Sequence, residues 1–170
     1  MSMRLHSFAP VSRADARVLI LGSMPGVASL TAGQYYAQPR NLFWQIIEEL
    51  YGVDRSAHYT QRLAALTAHR VALWDVLESC QRPGSLDSSI RRSSARPNDF
   101  PRFFAGRPRI SAVFFNGKAA AELYRRLVLP TLEGRFAGLR HATLPSTSPA
   151  NAGMTPGEKL AAWRVVADAP

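Results

Sequence analysis

Cys80 is the only cysteine in the 170-residue chain, and Lys118 and Lys159 are its only lysines. A lone thiol forms no intrachain disulfide. It supplies neither a cysteine-ligated zinc site nor an iron–sulfur cluster, so a reducing, cytoplasmic setting is expected. No apolar run approaches the length that spans a bilayer, and the N-terminal residues 1–17 lack the apolar core of a secretory signal. Neither an internal repeat nor a long low-complexity linker interrupts the chain. Acidic residues are also scarce, 12 against 21 Lys plus Arg, for a formal charge of +9. Such an excess favours an anionic partner such as nucleic acid. A preference for Arg over Lys can, however, follow from coding-sequence composition alone.

Hydrophobic residues make up 46% of the sequence and charged residues 19%. That balance, at this length, fits one folded domain, 1–170, around one sizeable core. Four short apolar runs read as strands, at residues 17–21, 70–74, 110–115 and 139–144. The first, the third and part of the second are continuously apolar, as in strands covered on both faces of a parallel sheet. Helical patterns alternate with them at 41–51, 58–68 and 118–128. A last helix starts at Thr155-Pro156-Gly157-Glu158, a capping box with proline at its first position. This alternation predicts an α/β fold, a sandwich around a parallel sheet. Residues 82–109 differ: seven arginines stand against Asp87 and Asp99, a net +5, among prolines and serines. They read as a loop-rich excursion with a short helix near 98–105, either a solvated surface or one that contacts phosphates.

Ligands of open parallel sheets bind beyond the carboxyl ends of the strands, and all four predicted ends carry unusual residues. Gly22-Ser23-Met24-Pro25-Gly26 follows the first. Its glycines allow a sharp turn whose amides can hold an anion or a carbonyl oxygen, although a plain strand-to-helix turn reads the same way. The loop Gln34-Tyr35-Tyr36-Ala37-Gln38-Pro39-Arg40-Asn41 then gathers rings that stack and amides that read the edges of a planar polar ligand. Phe43 and Trp44 read as core, and Asn41 stands where a helix N-cap belongs. Asp75 ends the second strand, to cap a turn or to face a cleft. Asn116-Gly117-Lys118 opens a helix after the third, where free N–H groups favour negative charge. After the fourth, Leu144-Pro145-Ser146-Thr147-Ser148-Pro149-Ala150-Asn151 is a stiff hydroxyl-rich loop suited to a phosphate backbone.

Taken together, GSMPG, YYAQPRNLFW and LPSTSPAN resemble the uracil-DNA glycosylase superfamily, most closely its hypoxanthine-DNA glycosylase branch. The resemblance implies a three-layer α/β/α sandwich with a four-stranded parallel sheet. It also implies a monomeric, monofunctional enzyme that needs no metal or cofactor. Such an enzyme flips a deaminated base out of DNA and hydrolyses its bond to the sugar. By the same resemblance Asn41, in Pro-x-Asn-x-Phe-Trp, takes the catalytic duty. Asp75 reads the base, joined by Gly22, the Ser23 and Met24 amides, a stacking Tyr35 or Tyr36, and Asn116. Pro25, Gly26, Lys118, Ser146, Thr147, Ser148 and Pro149 contact the DNA. Met24 and Leu144 stand where uracil glycosylases carry polar residues, which weakens the uracil-specific reading. A uracil or mismatch glycosylase, a non-catalytic binder of nucleotides or damaged DNA, and a small phosphate-binding module are the alternatives. Where a bulky wedge is expected, the last motif offers only Pro149 and Ala150.

Overall fold

A computed structural model describes residues 3–170. Four parallel strands, β2 (Val18–Gly22), β3 (Val71–Asp75), β6 (Ala112–Asn116) and β7 (Arg140–Leu144), form one sheet in the order β3-β2-β6-β7. Each lies within one or two residues of its sequence expectation. The order doubles back at β2, so chain ends on either side of β2 open onto a common crevice at the carboxyl edge.

Alternate residues of these strands serve two cores, as a period of two requires. Leu19, Leu21, Trp74, Val113 and Phe115 face α4 (Phe100–Ala105) and α5 (Lys118–Leu123), packing with Phe100, Phe104 and Tyr124. Val18, Ile20, Leu73 and Phe114 face α2 (Phe43–Tyr51), α3 (Tyr59–Ala68) and α6 (Pro156–Ala167), packing with Phe43, Ile47, Leu66 and Trp163. The result is the expected three-layer α/β/α sandwich. Burying each large apolar side chain contributes about 1.5–3 kcal/mol, and that is what holds the layers together. Met24 and Leu144, the two apolar departures, belong to these cores, one on each face.

The structure adds elements beyond the expected ones. A small antiparallel sheet joins β1 (Arg4–His6), β4 (Leu77–Gln81) and β5 (Arg96–Pro97) in the order β1-β4-β5. A six-residue helix, α1 (Val27–Ala32), follows the first motif. The helix expected over 118–128 is regular only to Leu123 and continues as a π turn, Tyr124–Val128. Thr155 and Glu158 make both bonds of the capping box that opens α6. Among the described residues no helix is long and apolar enough to cross a membrane.

Candidate active site

A cleft of about 440 Å³ opens at the carboxyl edge of the sheet. Its wall brings together Gly22 to Gly26, Tyr35, Tyr36, Asn41, Asp75, Asn116 and Ser146 to Pro149. Lys118 is exposed at the start of α5 and stands apart from that lining.

At the floor, Asp75 is 3% exposed and its Oδ2 has no hydrogen-bond partner. The Tyr36 hydroxyl is buried and equally unpartnered. Both groups crowd the Cα of Gly22: a Cβ there would lie 2.5 Å from Asp75 Oδ1 and 3.0 Å from the Tyr36 oxygen. Glycine is required at position 22 because these two polar groups occupy the space. Burial pushes the Asp75 carboxyl up to about 7; nearby Asp87 adds to the rise and Arg82 opposes it. The physical cause is desolvation of the charged form. Burial also raises the Tyr36 hydroxyl, which therefore remains an O–H donor. Orphaned buried polar atoms are costly unless a ligand completes them.

Tyr36 takes a left-handed backbone, φ 56°, and stacks on Phe43 with ring centroids 4.0 Å apart. Tyr35 is a structural ring. It is 3% exposed, its hydroxyl donates to the Ala9 carbonyl, and its own carbonyl accepts from Trp44 Nε1. Of the two tyrosines, Tyr36 is therefore the one that brings a free polar group to the cleft.

Asn41 stands one residue before the N-cap of α2, which is Leu42 and not Asn41 as the sequence suggested. Its Oδ1 accepts from the Phe43 N–H at 3.0 Å, two residues on, and the residue lines the cleft. The amide fixes the side chain's rotation and leaves the oxygen a second lone pair. Leu42, the next residue, donates its N–H to the Thr147 carbonyl at 3.1 Å. Thr147 is 1% exposed. Its N–H donates to Asn116 Oδ1 and its hydroxyl accepts from Asn116 Nδ2, each at 2.9 Å. Both ends of the Asn116 carboxamide are thus engaged, and the pair stitches the Asn41 loop, the end of β6 and the last motif into one unit. Gly117, at φ 97°, sits where a Cβ would meet Ser146 at 3.1 Å.

Two buried cations hold the loops from behind. Lys159, 2% exposed, donates to the Asn151 carbonyl at 2.7 Å, and Trp163 Nε1, one turn on, donates to the Pro145 carbonyl at 2.9 Å. Arg82, 3% exposed, donates to the Pro25 carbonyl at 2.6 Å and the Gly84 carbonyl at 2.9 Å. Arg82 therefore leaves the arginine-rich surface expected over 82–109, because the carbonyls of two tight turns accept its fork. Arg107 is half-buried on the Phe103 ring. Arg91, Arg92, Arg96, Arg102 and Arg109 remain exposed.

Residues 9–167 match the family model of the uracil DNA glycosylase superfamily. The chain belongs to that superfamily. It is 36% identical over 121 residues to a hypoxanthine DNA glycosylase of Methanosarcina barkeri, covering 71% of this chain and 75% of the relative. A hypoxanthine DNA glycosylase of Methanosarcina acetivorans is 34% identical over 147 residues, 86% of this chain and 87% of that one. The solution NMR structure of a Methanosarcina acetivorans protein classed with the uracil DNA glycosylases superposes with a TM-score of 0.77 at 33% identity, covering 96% of this chain and 99% of that one. Membership in the superfamily accounts for the common location of the motifs. It leaves Ser85, Leu86 and Asp87, which also line this cleft, as residues that sequence reading missed. Their signal was masked because they sit in an arginine-rich loop that reads as solvated surface.

Proposed function

We propose that the protein is a DNA glycosylase that removes hypoxanthine from deoxyinosine in DNA, acting as a cytoplasmic monomer. One observation carries the reading: unpartnered Asp75 and Tyr36 form the floor of the same cleft whose wall holds Asn41.

Hydrolysis of an N-glycosidic bond builds positive charge on the sugar and negative charge on the departing base, through an oxocarbenium-like transition state. An ionised carboxylate beneath the base would oppose that departure. A neutral Asp75 carboxyl does not. It offers an O–H donor beside a C=O acceptor, the complement of the C=O and N–H that adjoin on the hypoxanthine edge. Tyr36 contributes a second donor for the growing negative charge, and the Ser23 and Met24 amides of the first-motif loop add to it. A neutral carboxamide is no proton acceptor near pH 7. Asn41 acts instead by alignment: its oxygen, held by the Phe43 amide, orients a water toward C1′. Thr147 and Asn116 act by fixing the loops, and Ser146 and Ser148 present hydroxyls to flanking phosphates. The exposed arginines supply salt-sensitive affinity for the backbone.

The test is a panel of duplexes carrying hypoxanthine, uracil, xanthine or ethenocytosine, treated with alkali after incubation to cut at abasic sites. Cutting at hypoxanthine ahead of the others is expected. Preferred cutting at uracil would move the assignment to a uracil glycosylase, since uracil offers the same adjacent N–H and C=O. Tight binding to an abasic analogue with no excision of any base would make the protein a binder of damaged DNA.

A further inference from the structure

An enzyme that takes a base out of a duplex leaves a hole in the stack, and apolar side chains commonly fill such gaps. Among the described residues the exposed large apolar side chains are Met3, Val27 and Leu86, at 78%, 50% and 55%. Val27 and Leu86 both stand on the cleft.

Leu86 is held out on a pinned loop. On one side of it the Ser85 hydroxyl accepts from the Val27 N–H at 2.9 Å. On the other the Ser23 hydroxyl donates to Asp87 Oδ1 at 2.5 Å. Below, Arg82 clamps the Gly84 and Pro25 carbonyls. The residues flanking Leu86 are thus tied to the first-motif loop while its own side chain faces water. Exposing an isobutyl group on a tethered loop forgoes its burial in the free protein. It also leaves little loop ordering to be done on binding. A smaller hollow adjoins this loop, sharing Asp87 with the cleft and lined by Arg92 and Arg126 together with Glu122. The last motif offers no comparable group: Pro149 is half-buried and Ala150 ends in a methyl.

We propose that Leu86, which lines the cleft together with Val27, is the wedge that enters the duplex as the damaged nucleotide leaves it. The proposal rests on the glycosylase reading. It places the wedge on the loop after β4 and not on the last motif.

Excision rates on deoxyinosine in duplex and in single-stranded DNA test it, with Leu86→Ala compared with wild type. The single strand has no stack to fill. Truncation is expected to slow duplex excision by about tenfold or more and to leave the single-strand rate within about twofold of wild type. Leu86→Met should restore the duplex rate, and so should a pyrene nucleotide placed opposite the lesion, which fills the gap from the other strand. Equal losses on both substrates, or no loss on either, would overturn the proposal. If wild type excises no base, the functional reading fails by itself, and the wedge is judged by binding. For that, 2-aminopurine is placed beside an abasic analogue in a duplex. A fluorescence rise with wild type that Leu86→Ala loses supports the wedge. The same response from both proteins, or none from either, overturns it.

Discussion

Asp75→Asn separates the charge of the cleft floor from its shape. The carboxyl is buried and raised to about 7 from an ordinary 3.8, so between those values the folded protein holds a proton that the unfolded chain has released. The unfolded state then binds fewer protons, and stability falls as pH rises through this window. At 1.36 kcal/mol per unit, the loss attributable to Asp75 is roughly 2–3 kcal/mol between pH 5 and pH 8. Asparagine keeps the volume and cannot ionise. Urea unfolding at pH 5, 6, 7 and 8 should show wild type weakening relative to Asp75→Asn by about that amount, with the gap opening as pH rises. Excision should move with it. Wild-type activity declines as pH passes about 7, where the neutral acid is lost, whereas the carboxamide keeps a donor and an acceptor side by side and holds its rate at pH 8. Parallel stability curves would show that the carboxyl titrates in an ordinary range. A variant as inactive as Asp75→Ala at every pH would show that the ionised form is what the reaction uses.

Asn41→Ala should leave DNA binding nearly intact and slow single-turnover excision by about two to three orders of magnitude, roughly 3–4 kcal/mol; a rate within about threefold of wild type would remove it from the reaction. Gly22→Ala forces a methyl to within 2.5 Å of Asp75 Oδ1, so a loss of about 1–3 kcal/mol of stability is expected in urea unfolding, together with a fall in excision; unchanged values of both would mean the floor yields freely. Lys159→Met removes the donor to the Asn151 carbonyl and should lower stability by about 1.5–3 kcal/mol, checked in the same unfolding assay; an unchanged midpoint would show that the last-motif loop stands without it.

The parallel sheet was legible because β2, β3 and β6 are short apolar runs buried along nearly their whole length, a pattern that sequence displays directly; β7 is largely exposed and only its end at Leu144 is buried. The small sheet was not. β1 and β5 span three and two residues, too short for any periodicity, and β4 carries Glu78, Ser79 and Gln81 among its five residues, so it shows no apolar run. The candidate site was legible as a set of strand ends, because topology places those ends together whatever their side chains. What each side chain does there was harder to read. Asn116 and Thr147 are 31 positions apart, and nothing in either motif shows that each satisfies the other. Arg82 reads as surface by residue type and by its arginine-rich neighbourhood. It is buried because the turns at Pro25 and Gly84 present carbonyls that no helix or strand partner takes.

The two apolar departures and the neutral floor belong to one physical account. A step that breaks the glycosidic bond ahead of full attack by water asks most of whatever receives the base's electrons, and less of whatever activates the nucleophile. The polar groups of the cleft floor are a carboxyl that burial raises to about 7 and a phenol that burial raises further, so the phenol keeps its proton at neutral pH and the carboxyl gives up its own as pH passes about 7. On the proposed reading the nucleophile's side is served by Asn41, whose oxygen is held by the Phe43 amide. Met24 and Leu144 are packed into the two cores, so packing accounts for their apolar side chains. A floor that receives the base's electrons through proton-bearing groups calls for no further polar side chain at either position, and on the proposed reading the two departures are compatible with the chemistry.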